Sequence, residues 1–255
     1  MENLSPQTRF TGQRYLFLPV CTSTNTVAQE LLNKNEATEG FVIIAGEQTA
    51  GRGQRGNSWE ATAGQNLILS VIWQPDFLAA SDQFFLSMAV SLGVSDFLKR
   101  FLPPGVVLKW PNDLYFQEDK LGGILIENSI SGANLQNSVV GIGINVNQVF
   151  FQNSRAVSMK LITGHTYELK TLIETLLECL EKRYLQLQQN SRSQLQQEYW
   201  SQLLGLNEYR FFEVAGEKLA GKITGTDPFG RLLLETENGL QVFDLKEIKF
   251  LFKED

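Results

Sequence analysis

Histidine is nearly missing from this chain: His165 is the only one in 255 residues. Cysteine is almost as scarce, with Cys21 and Cys179 far apart. Without clustered Cys and His, a zinc-type site has no ligands to draw on. Two scattered thiols in a chain of this size read as reduced and buried, the usage of the cytosol. No stretch approaches the about 18 consecutive apolar residues of a membrane span. The opening Met-Glu-Asn-Leu-Ser-Pro lacks the basic and apolar stretches of a secretory signal. The expectation is a cytoplasmic protein with no membrane segment and no metal cage of its own. Positive charge is also short, with a formal net charge of -6, which counts against a non-specific hold on phosphate backbones. What is there in quantity is core-forming material: 43% of residues are hydrophobic. The length suits one large domain, or one large and one small.

Along the chain, Tyr15–Val20 reads as a strand. Ser23, Thr24 and Asn25 follow, with hydroxyls suited to capping the helix that Val27, Ala28, Leu31 and Leu32 space out. A buried-strand run, Phe41–Ala45, leads into a polar, glycine-rich segment from Gly46 to Gly64, and Asn66–Trp73 resumes as strand. Asp82–Phe101 is predicted as an amphipathic helix stopped by Pro103-Pro104-Gly105. Val106–Lys109 is a strand. Leu114–Phe116 and Leu121–Glu127 form a hairpin across a Gln117–Lys120 turn, and Val139–Val146 is a further apolar strand. Glu168–Leu187 has the leucine spacing of a strong helix, with a second helix ending at Leu204. After Gly205 the texture changes to short strand-like runs between turn residues, which suggests a small closed β-barrel. The boundary is placed there, giving residues 1–205 and 206–255.

Four segments carry chemistry. Gly51-Arg52-Gly53-Gln54-Arg55-Gly56 combines close backbone approach with guanidinium forks suited to phosphate or carboxylate. The same six residues also describe a solvated surface loop. They match neither a P-loop nor the Rossmann fingerprint. Gln48, just before them, can donate and accept through one amide, as a urea-like or peptide-like group requires. In Lys109-Trp110-Pro111-Asn112-Asp113, Asn112 and Asp113 fall at a strand end, where binding groups commonly sit. Asp113 could bind Mg²⁺ with ATP or orient an amine, or simply close a turn; Trp110 could wall a pocket or lie in the core. Lys120 precedes Leu121-Gly122-Gly123, and paired glycines weaken a strand unless another backbone or a ligand must come close. Gly141-Ile-Gly143-Ile-Asn145 repeats the pattern, and a two-residue period puts Asn145 on the bare face with Gly141 and Gly143. The other reading of that strand is tight packing. His165 and Cys21 receive no role.

Together these segments resemble the biotin–protein ligase family. The match runs through Ser23-Thr24-Asn25, Gly46–Trp59, Lys109–Asp113, Lys120–Leu125 and Gly141–Asn145, in order and in register. The resemblance implies an α+β fold: a mixed β-sheet flanked by helices, related to class II aminoacyl-tRNA synthetases, followed by a small SH3-like β-barrel. It implies ATP and Mg²⁺, with biotin as substrate. Biotin is first converted to biotinyl-5′-adenylate, then passed to a lysine of a biotin carboxyl carrier protein, that of acetyl-CoA carboxylase being the expected partner. By position, Lys120 and Asp113 match the catalytic groups. Ser23, Thr24, Asn25, Gln48, Gly51, Arg52, Gly53 and Gln54 match biotin-binding positions, with Lys120 on the carboxylate. Arg52, Arg55, Asn57, Asp113 and Asn145 match nucleotide-binding positions, and Trp59 packs along the biotin tail. Gln54 and Asn57 stand where the family loop commonly has arginines, which implies weaker retention of the adenylate. Some members carry an N-terminal DNA-binding unit; with the first strand at Tyr15, the expectation is a ligase that is not a repressor and binds no DNA, as a monomer or homodimer. A lipoate–protein ligase, sharing fold and chemistry, is the alternative.

Overall fold

A seven-stranded sheet is the centre of the molecule. The computed structural model describes residues 4–252, apart from the side chain of Arg55. The strands and helices, in chain order, are β1 (Tyr15–Cys21), α1 (Thr24–Asn33), β2 (Val42–Gln48), β3 (Leu67–Trp73), α2 (Gln83–Leu98), β4 (Val106–Lys109), β5 (Asp113–Phe116), β6 (Asp119–Ser131) and β7 (Asn134–Ile144). Three helices follow: α3 (Met159–Thr163), α4 (Leu169–Gln188) and α5 (Arg192–Ser201). The strand order is β1-β2-β3-β7-β6-β5-β4. β1 runs parallel to β2, and every other pairing is antiparallel, so the sheet is mixed.

Alternation along the strands divides the interior. Val42, Ile44, Leu69, Val71, Val140, Ile142 and Ile144 pack on the side of α2 and α4. Ile43, Ile72 and Val139 point the other way and pack against Ala28 of α1 in a smaller cluster. This is the period of two expected of a sheet covered on both faces. α2 departs from the amphipathic expectation. It is buried at almost every position from Phe84 to Leu98, because the sheet lies on one side and α4 and α5 on the other; a helix so enclosed is apolar all round.

The last five strands are β8 (Tyr209–Val214), β9 (Glu217–Thr226), β10 (Leu232–Thr236), β11 (Gly239–Phe243) and β12 (Lys249–Phe250). They form an antiparallel sheet ordered β11-β10-β9-β8-β12. Among the described residues no ladder joins β11 to β12, so the expected closed barrel is an open sheet here; β12 has two residues and pairs only with β8. Phe212, Ile223, Leu234 and Phe250 from this sheet join the core of the large one. The Trp110 indole N–H donates to the Gly230 carbonyl at 2.8 Å, and Tyr115 stacks on Phe252. Trp110 is therefore core, 4% exposed, and its polar tip ties the two sheets together.

Two devices set up the functional face. β2 runs on to Gln48, and the rest of the glycine-rich segment, 49–64, is not strand: it carries a 3-10 turn at Gln54–Gly56 and a single bridge between Arg52 and Ser58. The β5–β6 hairpin turns at Gln117, which has a positive φ of 56°, so Lys120 lies within β6 and not in the expected turn. Tyr115 pairs with Lys120 but Leu114 with Gly122, leaving Leu121 as an extra residue. Such a bulge re-aims the side chains beyond it.

Candidate active site

In a regular strand Lys120 and Gly123 would face opposite ways. The bulge at Leu121 cancels that, and Lys120, Gly123, Asp113 and Lys109 come to one face through the pairings Asp113–Gly123 and Lys109–Asp113. Two backbone bonds hold Lys120 in place: its N–H donates to the Arg155 carbonyl, and its carbonyl accepts from Val157. The Lys120 ammonium lies 2.7 Å from Asp113 Oδ1. Lys109 lies 3.9 Å from Asp113 Oδ2, and its ammonium sits 4.8 Å above the Phe250 ring. Burial pushes the Lys109 pKa down, Asp113 opposes the shift, and Lys120 adds to it. One carboxylate thus holds two cations at the end of a glycine-bared strand.

The bare face has occupants. A Cβ on Gly143 would overlap the Trp59 indole, and one on Gly141 would overlap the Asn25 carboxamide. The glycines of β7 exist so that these two side chains can lie directly on backbone. Trp59 thereby walls the cleft, 6.0 Å from the Lys120 ammonium; its indole N–H is buried without a partner.

At the other end of the cleft a polar cluster replaces the expected helix cap. Ser23 takes the N-cap position of α1 but makes no side-chain cap bond. The Thr24 N–H donates instead to Gln48 Oε1 at 2.8 Å, across from β2. Thr24 Oγ1 lies 2.7 Å from Ser70 Oγ, and Ser70 Oγ lies 2.6 Å from Asn25 Oδ1. Asn25 Nδ2 donates to Glu127 Oε2 at 2.7 Å, and Arg52 reaches the same oxygen at 3.0 Å. Ser23, Thr24, Asn25 and Ser70 are all buried, so the groups are pre-set by their own bonds, as a site for a neutral polar ligand requires.

The cleft between these ends encloses about 970 Å³ including its open mouth. Ser23, Thr24, Asn25, Gln48, Arg52 and Gly53 line one end. Gln54, Asn57, Trp59, Asp113 and Lys120 line the rest. Gly51 underlies the loop against Trp59 and Gln48. The Arg55 side chain lies outside the described residues. Asn145 is not at the cleft wall. β7 ends at Ile144, and Asn145 turns to donate to the Val157 carbonyl at 3.0 Å, with its backbone bonded to Leu121 and Met159. The two-residue period that predicted its direction stopped one residue too early. Sequence reasoning missed Ser70, Lys109 and Glu127; the Ser70 hydroxyl amid the apolar run Leu67–Trp73 was a readable anomaly. Burial pushes the Cys21 thiol pKa up, in keeping with giving it no chemical role.

The family model described as biotin/lipoate A/B protein ligase matches residues 17–145. The chain belongs to this family. It is 32% identical over 241 residues to the bifunctional ligase/repressor BirA of Bacillus subtilis, covering 92% of this chain and 73% of that one. It is 31% identical to the biotin–[acetyl-CoA-carboxylase] ligase of Mycobacterium tuberculosis, covering 88% of this chain and 85% of that one. Among solved structures, the biotin protein ligase from Aquifex aeolicus in complex with biotin and ATP superposes with a TM-score of 0.78 at 28% identity. That match covers 94% of this chain and 99% of the other. For this family member, the mixed sheet and its helices are the ligase fold, and the glycine-bared face carries its cleft.

Proposed function

We propose that this family member is an ATP-dependent biotin–protein ligase and that the cleft carries both of its steps. The observation that carries the reading is a polarity along the cleft. A neutral cluster of buried Ser23 and Thr24 with half-buried Gln48 lies at one end, and Lys120 paired to Asp113 at the other. Biotin has this polarity, with a ureido group at one end and a carboxylate at the other. The dithiolane of lipoate offers nothing to the neutral cluster, which favours biotin over lipoate.

In the first step a biotin carboxylate oxygen attacks the α-phosphorus of ATP and pyrophosphate leaves. Negative charge shifts onto phosphoryl oxygens, where the fixed Lys120 ammonium is worth most. Arg52, Gln54 and Asn57 close the loop side. In the second step the amine of a carrier lysine attacks the acyl carbon, AMP leaves, and the amine loses its proton; Asp113 is the nearest carboxylate to orient that amine. No group of three His, Cys, Asp or Glu side chains able to hold a metal is present among the described residues. Asp113 therefore offers Mg²⁺ a single carboxylate, and the ion would take its other oxygens from the nucleotide and water. Such an ion would neutralise phosphate charge.

A biotin carboxyl carrier protein is the acceptor in this reading, and the cytoplasm, where ATP and reduced thiols coexist, its place. Residues 1–205 form the catalytic unit and 206–255 an SH3-like accessory unit, for which the five short antiparallel strands speak. Pyrophosphate release from ATP–Mg²⁺, measured with biotin and with lipoate, tests the assignment. Biotin-dependent release followed by label on a carrier lysine is the expected result. Release with lipoate alone would overturn it.

A further inference from the structure

We propose that Glu127 is a positioning residue that sets which way the hydrogen bonds of the polar cluster run, making the Thr24 hydroxyl an acceptor toward the bound acid. The inference rests on the biotin reading above and names a residue that touches no substrate itself.

The geometry leaves one consistent assignment of protons. A carboxylate accepts and cannot donate, so Asn25 turns its amide nitrogen to Glu127 Oε2, 2.7 Å away, with a longer second bond to the Leu125 carbonyl at 3.3 Å. Asn25 Oδ1 then faces Ser70 Oγ at 2.6 Å. Two oxygens that close need a proton between them, and only Ser70 has one. That single proton is now committed. At the 2.7 Å contact between Ser70 Oγ and Thr24 Oγ1, the serine can only accept, and the Thr24 proton fills that bond. Thr24 Oγ1 therefore offers the cleft lone pairs alone. Its 3.2 Å approach to Gln48 Oε1 carries no proton; that oxygen is satisfied by the Thr24 N–H at 2.8 Å, and Gln48 Nε2 remains as a donor.

Ser70 is fully buried and Asn25 is 3% exposed, so no solvent competes to reverse the chain. A ureido group presents N–H donors beside one carbonyl acceptor. Thr24 as acceptor fits an N–H, and the Gln48 amide fits the carbonyl. Arg52 grips the same Glu127 oxygen from the loop at 3.0 Å. Exposed pairs of this kind add little stability, but this one fixes where the carboxylate points, so loop closure and cluster polarity are linked.

Calorimetric titration of biotin into wild type, Glu127→Gln, Glu127→Met and Ser70→Ala tests the proposal, with ATP binding and thermal melting as checks on folding. Glutamine keeps an acceptor oxygen and should bind biotin nearly as wild type does. Methionine leaves the Asn25 amide only its longer bond to the Leu125 carbonyl and should weaken biotin about tenfold or more, with ATP binding retained. The second ligand is biotin methylated on a ureido nitrogen. Wild type should reject it strongly; Glu127→Met and Ser70→Ala should reject it less, since Thr24 is then free to turn its proton outward. Unchanged biotin affinity in Glu127→Met, equal losses in the Gln and Met variants, or unchanged rejection of the methylated ligand in Ser70→Ala would each overturn the proposal. A wild type that binds no biotin would instead bring down the functional reading and this inference with it.

Discussion

The two sheets use glycine for different ends. In β7, Gly141 and Gly143 clear backbone for Asn25 and Trp59, both in the cleft. In β9 and the turn after it, Gly221, Gly225 and Gly230 make room for Leu234, Trp200 and Phe84, all packing contacts. The large sheet is covered on both faces, whereas the small one buries one face and leaves Tyr209 75% and Phe211 52% exposed on the other. The same missing Cβ builds a site in one region and a core in the other. A glycine-bared strand is therefore informative only through the side chain laid against it.

The comparison breaks most sharply at Lys120. Its replacement by alanine should lower biotin-dependent pyrophosphate release about 100- to 1000-fold, with the melting temperature little changed, since the side chain sits at the rim of the cleft. No equivalent lysine in the small sheet should matter: Lys222→Ala, removing a pair to Glu235 on the surface, should leave turnover intact. A fall in release of less than about tenfold for Lys120→Ala would detach the site from its proposed centre.

Paired glycine substitutions sharpen the contrast. Gly141→Ala forces Asn25 off the strand and should raise the Kd for biotin about tenfold. Gly221→Ala puts a methyl group 2.7 Å from Leu234 Cγ; it should cost about 1–3 kcal/mol of stability by overpacking and leave biotin affinity near wild type. Calorimetry and thermal melting on both variants read this directly. If both lose affinity alike, the two regions are not separable in function.

Gln54 gives a smaller effect. Gln54→Arg adds a charge-assisted donor at the cleft wall and should slow release of biotinyl-adenylate from the purified enzyme about tenfold, as followed by rapid filtration. An unchanged release rate would mean that the loop holds the adenylate without an arginine at position 54.

In the turn between β9 and β10, Asp227 is pulled two ways. Partial burial would raise its pKa, but the Arg231 and Phe229 amides and the Arg231 guanidinium outweigh this and lower it below 3.8. A depressed carboxyl stabilises the fold above its unfolded pKa, and that help is lost as pH falls through the folded value. Protection of the Phe229 and Arg231 amides from hydrogen exchange should accordingly fade below about pH 4. The smallest effect belongs to the outer face of β8: Phe211→Ser should change stability by no more than about 0.5 kcal/mol, measured by denaturant unfolding.

Much of this was legible before any coordinates. The leucine spacing of α4, the alternation of Leu67–Trp73 and the glycine pairs at 122–123 and 141–143 each have a local cause, and each sits where the pattern put it. Three features were not legible, for nonlocal reasons. α2 reads as amphipathic by eye, but its Ser91 and Ser95 are buried along with its apolar side chains because layers close on both sides. Asn145 followed the strand period in sequence, yet the strand stopped at Ile144 and the side chain found carbonyls of a neighbouring loop. Closure of the small sheet depends on whether its edge strands meet, and turn spacing alone does not decide that.

By itself the sequence determined the chemistry available to this protein: an acidic chain poor in histidine and cysteine, an arginine-bearing glycine loop, one lysine beside a carboxylate segment, and strands with side chains left out. These follow from residue identity and short-range spacing, which local sterics and periodicity convert into structure directly. Only the tertiary structure decided direction. The extra residue at Leu121 turns Lys120 to the face of Asp113, and Ser70 and Glu127, far apart in the chain, meet α1 through strand order alone. A side chain's direction depends on register between strands, and register is settled by the packing of the whole sheet.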